Sequence, residues 1–316
     1  MSRLSADPRT GPEAADVAGV AGATEHPLHG PVLAWYAVAA RDLPWRAPGV
    51  GGWPVLVSEV MLQQTPVARV EPVWRAWMER WPTPADLAAE PPGEAVRAWG
   101  RLGYPRRALR LHQAAVAITE RHGGEVPRNH DALRALPGVG TYTAAAVASF
   151  AFGQRHAVVD TNVRRVLARA VTGRALGAPT QTAAELRLAE QLVPAEPAVA
   201  ARWAVAVMEL GALVCTARTP ACGGCPVRGL CAWQRSGCPP DDGPPRRGQA
   251  WAGTDRQVRG LLLAVLRAAD APVPQETLDA VWPADPLQRA RALDGLVADG
   301  LVEPLDRGRY RLPGTA

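Results

Sequence analysis

The feature that most constrains this chain is a cysteine cluster: Cys215, six residues, Cys222, two residues, Cys225, five residues, Cys231. Four thiols on one short stretch are far better suited to holding metal than to pairing as disulfides, and an all-sulfur site fits either a tetrahedral zinc or a cubane iron–sulfur cluster. Spacing alone leaves both open, because zinc sites more often pair two C-x2-C knuckles. The fifth cysteine, Cys238, carries no evident role.

At 316 residues the chain is long enough for about two domains with a sizeable buried core. The formal charge of +5 and a pI near 9.3 favour a polyanionic partner without saying which. Its basic side chains are arginine throughout, with no lysine at any position. Arginine forks onto phosphates but cannot form a Schiff base, so chemistry through a lysine imine is excluded. The first 28 residues have neither an apolar core segment nor a basic leader, and no run approaches the roughly 18 apolar residues of a membrane span. The expectation is a cytoplasmic protein with no membrane partner.

Residues 1–28 mix Gly, Pro, Ala and single charges without period and predict a disordered tail. From Pro31 to about Arg235 the pattern is of short helices punctuated by Pro and Gly, with apolar residues at helical spacing such as Val32, Trp35, Tyr36 and Ala39. That predicts an all-α body. A Pro-rich linker at 239–254 precedes a compact module, 255–316, with helices expected over Asp255–Ala268, Gln275–Val281 and Pro286–Asp299. A hairpin of Leu301–Leu305 and Tyr310–Leu312 then closes it, so the module reads as winged-helix-like. Arg289, Arg291, Arg307, Arg309 and Arg311 would face DNA there, or form a solvated basic face.

Two further constellations carry chemistry. Leu136-Pro137-Gly138-Val139-Gly140-Thr141 joins two apolar segments by a glycine turn, which can present backbone amides at a helix start to a phosphate without reading a base. An ordinary helix hairpin would look the same in isolation. Glu59 is a single acid in the apolar stretch Val57 to Leu62, costly to bury unless partnered or protonated. Asp160 follows Ala157-Val158-Val159 and precedes a helical segment, a position that also suits a simple N-cap.

Together these residues resemble the helix-hairpin-helix glycosylase superfamily of endonuclease III, and most closely its A/G-specific adenine glycosylase (MutY) branch. The resemblance runs from about Val32 to Cys231. It rests on Asp42-Leu43-Pro44-Trp45-Arg46, Ser58-Glu59-Val60-Met61-Leu62-Gln63-Gln64-Thr65, Leu102-Gly103-Tyr104, the PGVG hairpin, Asp160-Thr161-Asn162-Val163-Arg164-Arg165-Val166 and Glu209-Leu210-Gly211-Ala212-Leu213-Val214-Cys215. It implies a six-helix barrel (47–156), a discontinuous cluster domain (29–46 and 157–238) and one [4Fe-4S] cluster on Cys215, Cys222, Cys225 and Cys231. The partner it implies is double-stranded DNA containing an adenine mispair, bound by a monomer.

By the same resemblance Glu59 would protonate adenine and Asp160 would stabilise or attack the sugar cation, the two-carboxylate logic of glycoside hydrolysis. An apolar pocket of Val57, Val60 and Met61 would keep Glu59 protonated, while a helix N-terminus keeps Asp160 ionised. Asn162 and Tyr142 would orient the pair. Gln63 and Gln64 would meet DNA, with Gln64 entering the vacated stack and Tyr104 intercalating beside the opposing base. Arg41, Trp45 and Arg46 would border the adenine pocket, and Gly138, Val139 and Gly140 would hold a phosphate. As ordinary core aromatics, Trp45 and Tyr104 would have neither role. The endonuclease III pattern carries a strand-cleaving lysine where this chain has Tyr142, which implies a monofunctional hydrolase.

The chain departs from the family in three places. Pro105 stands where a second tyrosine is usual, Ala204-Val205 replaces an Asn-Gln pair, and the 8-oxoguanine-reading C-terminal domain is too long for 255–316. Rival readings are a glycosylase for another mispaired base, such as thymine opposite guanine, and a non-catalytic iron–sulfur DNA-binding protein.

Overall fold

One helix, Thr141–Phe150, is buried along nearly its whole length. Thr143 to Ser149 are all buried, and mostly alanine, so neighbouring backbones can approach this helix from every side. The computed structural model describes residues 26–241, 243 and 251–315. The expected tail at 1–25 and the linker at 242 and 244–250 lie outside the described residues.

In chain order the body comprises α1 (His29–Ala39), α2 (Gly52–Leu62), α3 (Val67–Arg80), α4 (Pro84–Ala88), α5 (Pro92–Trp99), α6 (Arg106–Arg121), α7 (His130–Arg134) and α8 (Thr141–Phe150). It continues with α9 (Thr161–Leu167), α10 (Ala183–Gln191), α11 (Pro197–Leu213) and α12 (Ala232–Arg235). Helix α2 packs on α3, α6 and α8, and α4 and α5 pack on α6. Trp77, fully buried between Trp81 and Trp99, meets both edge-on with ring centres 4.8 and 5.6 Å apart. A second core joins α1, α9 and α11 through Val32, Val163, Val166, Trp203, Val207 and Leu210. Leu28 belongs to it, which corrects the assignment of that residue to the tail: one leucine beside His26 and His29 has no period to announce burial.

The C-terminal module comprises α13 (Asp255–Ala268), α14 (Gln275–Asp279) and α15 (Pro286–Ala298) with a three-stranded antiparallel sheet. Its strands β1 (Val273–Pro274), β2 (Glu303–Leu305) and β3 (Arg309–Arg311) run in the order β1-β3-β2, pairing Val273 with Tyr310 and Glu303 with Arg311. Two residues, one a proline, are too few to show alternation, so β1 is silent in the sequence. Arg289, Arg291 and Arg311 do not form an open basic face: they pair with Asp279, Asp255 and Glu303 at 2.9–3.1 Å. Arg307 and Arg309 remain exposed at the β2–β3 turn.

This module is not a tethered appendage. The core around Trp77 and Leu111 continues without a break into Leu262, Leu266 and Leu296. Arg97 donates to the Arg267 and Ala269 carbonyls, Arg267 Nε donates to Val96 O at 2.9 Å, and Gly93 N–H donates to Pro313 O at 2.8 Å. A side chain at Gly93 would collide with Thr315 and Pro313. Arg106, in the first turn of α6, pairs with Asp299 at 3.1 Å.

Candidate active site and cluster loop

Glu59 lies in the second half of α2 and is only 6 % exposed. Burial drives its carboxyl pKa up to about 7, with a hydrogen bond from the Tyr142 hydroxyl and the Arg46 charge pulling it down, and Asp160 pushing it up. The Tyr142 hydroxyl hydrogen-bonds to Glu59, and its own pKa rises well above the ordinary value through burial and then through the charges of Glu59 and Asp160. At 100° per residue Val57 and Met61 point to nearly the opposite side of α2 from Glu59. The expected pocket of Val57, Val60 and Met61 is therefore corrected: these side chains are buried in the barrel core, and the groups that act on the carboxyl are Tyr142, Arg46 and Asp160.

Asp160 is the N-cap of α9. Its Oδ1 accepts the Val163 N–H at 2.7 Å and its Oδ2 accepts Asn162 Nδ2 at 2.8 Å. Burial raises its pKa, opposed by those donors and by the Arg165 charge. Asn162 is fixed in turn by Arg165, which donates to Asn162 Oδ1 at 2.8 Å, to Gly211 O at 2.7 Å and to Cys215 O at 2.6 Å. Asp160 is thus the N-cap that its position suited, and the donors it satisfies at the helix start favour its carboxylate form.

Of the residues expected to border an adenine pocket, Arg41 and Arg46 are held by a buried carboxylate and Trp45 by the core. The guanidinium of Arg41 is bidentate on Glu209, at 2.7 and 2.8 Å, and Arg46 reaches the same carboxylate at 3.0 Å. Glu209 is fully buried, and although burial works against it, these arginines hold its pKa below the usual range. Arg46 also bears on Glu59 and Tyr142. Trp45 is buried against Trp74 with ring centres 5.5 Å apart, as a core aromatic would be. Ala204, which stands at one of the departures from the family pattern, packs with Ala145, Ala146 and Val158 beneath Tyr142. Glu209 was missed by sequence reasoning although its signal matches that of Glu59: it is the lone acid of the apolar helix α11.

Gln64 and Tyr104 stand on the surface, and both have left-handed backbones, φ +56° and +46°. Tyr104 is 52 % exposed, not a core aromatic. Gln63 is partly buried, with its amide 3.4 Å from Thr143 Oγ1. In the hairpin between α7 and α8, Gly138 has φ +77° and packs so closely on Arg110 that a Cβ there would clash. Val139 differs from expectation: its side chain is buried and its N–H donates to Leu136 O at 3.1 Å. The amides suited to a phosphate are therefore those of the first turn of α8, whose N-cap Gly140 supplies no side-chain acceptor.

The cysteine loop follows α11 directly. It is folded by Cys215 N–H to Leu210 O (2.7 Å), Ala221 N–H to Val214 O (2.8 Å) and two short turns at Cys222–Gly224 and Arg228–Leu230. Burial raises the Cys222 thiol, and so do Cys215, Cys238 and Cys231; burial likewise raises Cys225, with Cys215, Cys231 and Cys222 adding to it. Cys222 and Cys225 thus feel the other cluster cysteines, and four soft sulfur donors on one loop are chemically suited to a metal centre. Buried Arg169 lies alongside, 3.4 Å from Cys215 Sγ. Cys238 is exposed, and its sulfur accepts Gln234 Nε2 at 3.2 Å.

Comparison with known proteins accords with this geometry. Residues 57–191 match the model of the HhH-GPD superfamily of base excision DNA repair proteins, and 215–231 match the iron–sulfur binding domain of endonuclease III. The zinc alternative therefore gives way to an iron–sulfur cluster. A protein of Mycobacterium tuberculosis named adenine DNA glycosylase is 57 % identical over 284 residues, covering 90 % of this chain and 92 % of that one. The human protein of the same name is 46 % identical over 216 residues, 65 % of this chain but 39 % of its own length. Among solved structures, a thermostable thymine-DNA glycosylase (30 % identity, TM-score 0.58) spans 66 % of this chain and 95 % of its own. Endonuclease III in a non-covalent DNA complex (26 %, TM-score 0.56) spans 66 % and 94 %. Near-complete alignment at this identity, on a helix-hairpin-helix body with its cysteine loop, makes the chain a member of the adenine DNA glycosylase family of base excision repair proteins.

Proposed function

We propose that this chain, acting as a monomer on duplex DNA, hydrolyses the N-glycosidic bond of adenine opposite 8-oxoguanine or guanine and leaves the strand intact. The observation that carries this reading is the Glu59–Tyr142–Asp160 constellation: two carboxyl groups close enough to feel each other's charge, in unlike surroundings. With a pKa of about 7, Glu59 holds its proton in a large fraction of molecules at neutral pH. It donates that proton to a ring nitrogen of the extruded adenine, which leaves with the electron pair of the glycosidic bond. Asp160, held by Val163 N–H and Asn162, faces the positive charge that develops on the sugar, and water completes the substitution at that carbon.

Absence of lysine supports hydrolysis without strand cleavage. Cys215, Cys222, Cys225 and Cys231 would hold one [4Fe-4S] cluster, which when bound cross-links the loop through its thiolates. Arg165 carries the position of that loop to Asn162. Exposed Gln64 and Tyr104 enter the space left by the base, and flipping, which costs a few kcal/mol, is least costly at a mispair.

The C-terminal module takes part in reading the opposing base, since Asp299 pairs with Arg106 two residues after Tyr104. Its core is continuous with the barrel, so single substitutions at Asp299 or Arg307 test this better than deletion. The deciding assay incubates the protein with duplexes holding A opposite 8-oxoguanine, A opposite G, and T opposite G, with and without alkali. Alkali-dependent breaks at A alone are expected. Breaks without alkali would defeat the monofunctional claim, and breaks at T the substrate assignment.

A further inference from the structure

Arg107 is a cation 7 % exposed whose hydrogen-bond acceptors are all neutral oxygens. Its Nη1 donates to Val60 O (2.8 Å), Met61 O (3.2 Å) and Gln63 O (2.7 Å), and its Nη2 donates to Thr65 Oγ1 (3.2 Å) and Gly103 O (3.1 Å). Its carbon lies 5.2 Å from the centre of the Trp99 ring and 5.5 Å from that of Tyr104. Three separate pieces of chain thus converge on one planar fork: the last turn of α2, the Gln63–Thr65 turn, and the Gly103–Tyr104 turn.

Each piece needs such a partner. The final carbonyls of a helix lack intrahelical donors, and they form the negative end of its dipole, so a cation is favoured there. Gln64 and Tyr104 hold left-handed backbones that non-glycine residues adopt at a cost and keep only when their surroundings over-determine them. Burial lowers the guanidinium pKa to about 10, so it remains charged at neutral pH.

We propose that Arg107 is the positioning residue that locks the Gln64 and Tyr104 wedges to each other and to the helix that carries Glu59. This rests on the base-extruding function proposed above. Opening the duplex pushes back on two exposed side chains, and a shared anchor lets the load on either be resisted by the barrel core. Lysine cannot substitute, because a compact ammonium cannot span the α2 carbonyls and Gly103 O at once.

The test is single-turnover adenine release by the full chain with its cluster on two substrates, adenine opposite 8-oxoguanine and adenine in a one-base bulge that needs little extrusion. Arg107→Lys is expected to slow the paired substrate about 100-fold and the bulge less than about 3-fold, because only the first demands unstacking of a paired base. The pH midpoint stays where the wild type has it, since Tyr142, Arg46 and Asp160, the groups that act on the Glu59 carboxyl, are untouched. Combined with Tyr104→Ala, the loss is less than the product of the single losses. Equal slowing on both substrates, no slowing on either, or a moved midpoint would overturn the proposal. Wild-type protein inert on both substrates would instead sink the functional reading beneath it. If Arg107→Lys fails to fold, Thr65→Val, which removes one acceptor, is expected to show the same paired-against-bulged contrast at about 5-fold, and equal losses there would overturn it as well.

Discussion

Glu59 and Asp160 are the same functional group in two different backbone settings. Glu59 sits late in α2, where eight of the nine residues from Trp53 to Met61 are buried and the helix interior leaves no backbone N–H free to stabilise a carboxylate. Asp160 sits just before α9, where the helix start offers Val163 N–H and the next turn offers Asn162. Burial raises both pKa values, but Glu59 is answered by one side-chain hydroxyl, Tyr142, whereas Asp160 is answered by backbone N–H donors at the helix start and by the Asn162 amide. Helix interior against helix start is the contrast on which the proposed roles rest, Glu59 as proton donor and Asp160 as anion.

The largest break in that contrast is Asp160→Asn. Asparagine still caps a helix, so the fold should survive, but the charge facing the sugar is lost and single-turnover release should fall by about 10³-fold or more with DNA binding retained. Unchanged release would favour a protein that only binds DNA. Glu59→Gln should cost about 10² to 10³-fold at pH 6 and flatten the pH dependence, since the proton donor is gone.

The same substitution should stabilise the folded protein in alkali. The Glu59 carboxyl rises from 4.5 to about 7 on folding, so its burial costs nothing below the unfolded value. The penalty grows as pH climbs between the two and is complete above about 7, reaching about 3 kcal/mol. Denaturant midpoints of Glu59→Gln and wild type should therefore coincide near pH 4 and separate by pH 8, with the variant the more stable. The smallest expected change is Tyr142→Phe, roughly a 10-fold loss of rate. Because the tyrosine hydrogen bond lowers the Glu59 pKa, its removal should carry the pH midpoint upward. A downward move would mean that Tyr142 favours the protonated form.

Much of this was legible in the sequence because it is written locally. Glu59 is conspicuous as an acid among apolar residues, Asp160 as a cap, and the cysteines by spacing; the helices of the C-terminal module were legible from periodicity to within a residue or two at most ends. What escaped depends on distance in the chain. Glu209 gave the same local signal as Glu59, but its meaning lies in Arg41 and Arg46, more than a hundred residues earlier. Arg107 is one arginine among many, and only the folded chain brings Val60 and Gly103 to it. Arg289, Arg291 and Arg311 read as a basic face because pairing partners such as Asp255 are invisible to composition.

The division of labour between the two acids is tested most directly by single-turnover adenine release from an A·8-oxoguanine duplex across pH. Wild-type rates should be level in mild acid and fall through a midpoint near 7, where Glu59 loses its proton, while Glu59→Gln shows no such fall. A wild-type rate that rises through neutrality, or a midpoint that persists in Glu59→Gln, would contradict the assignment of the proton to Glu59.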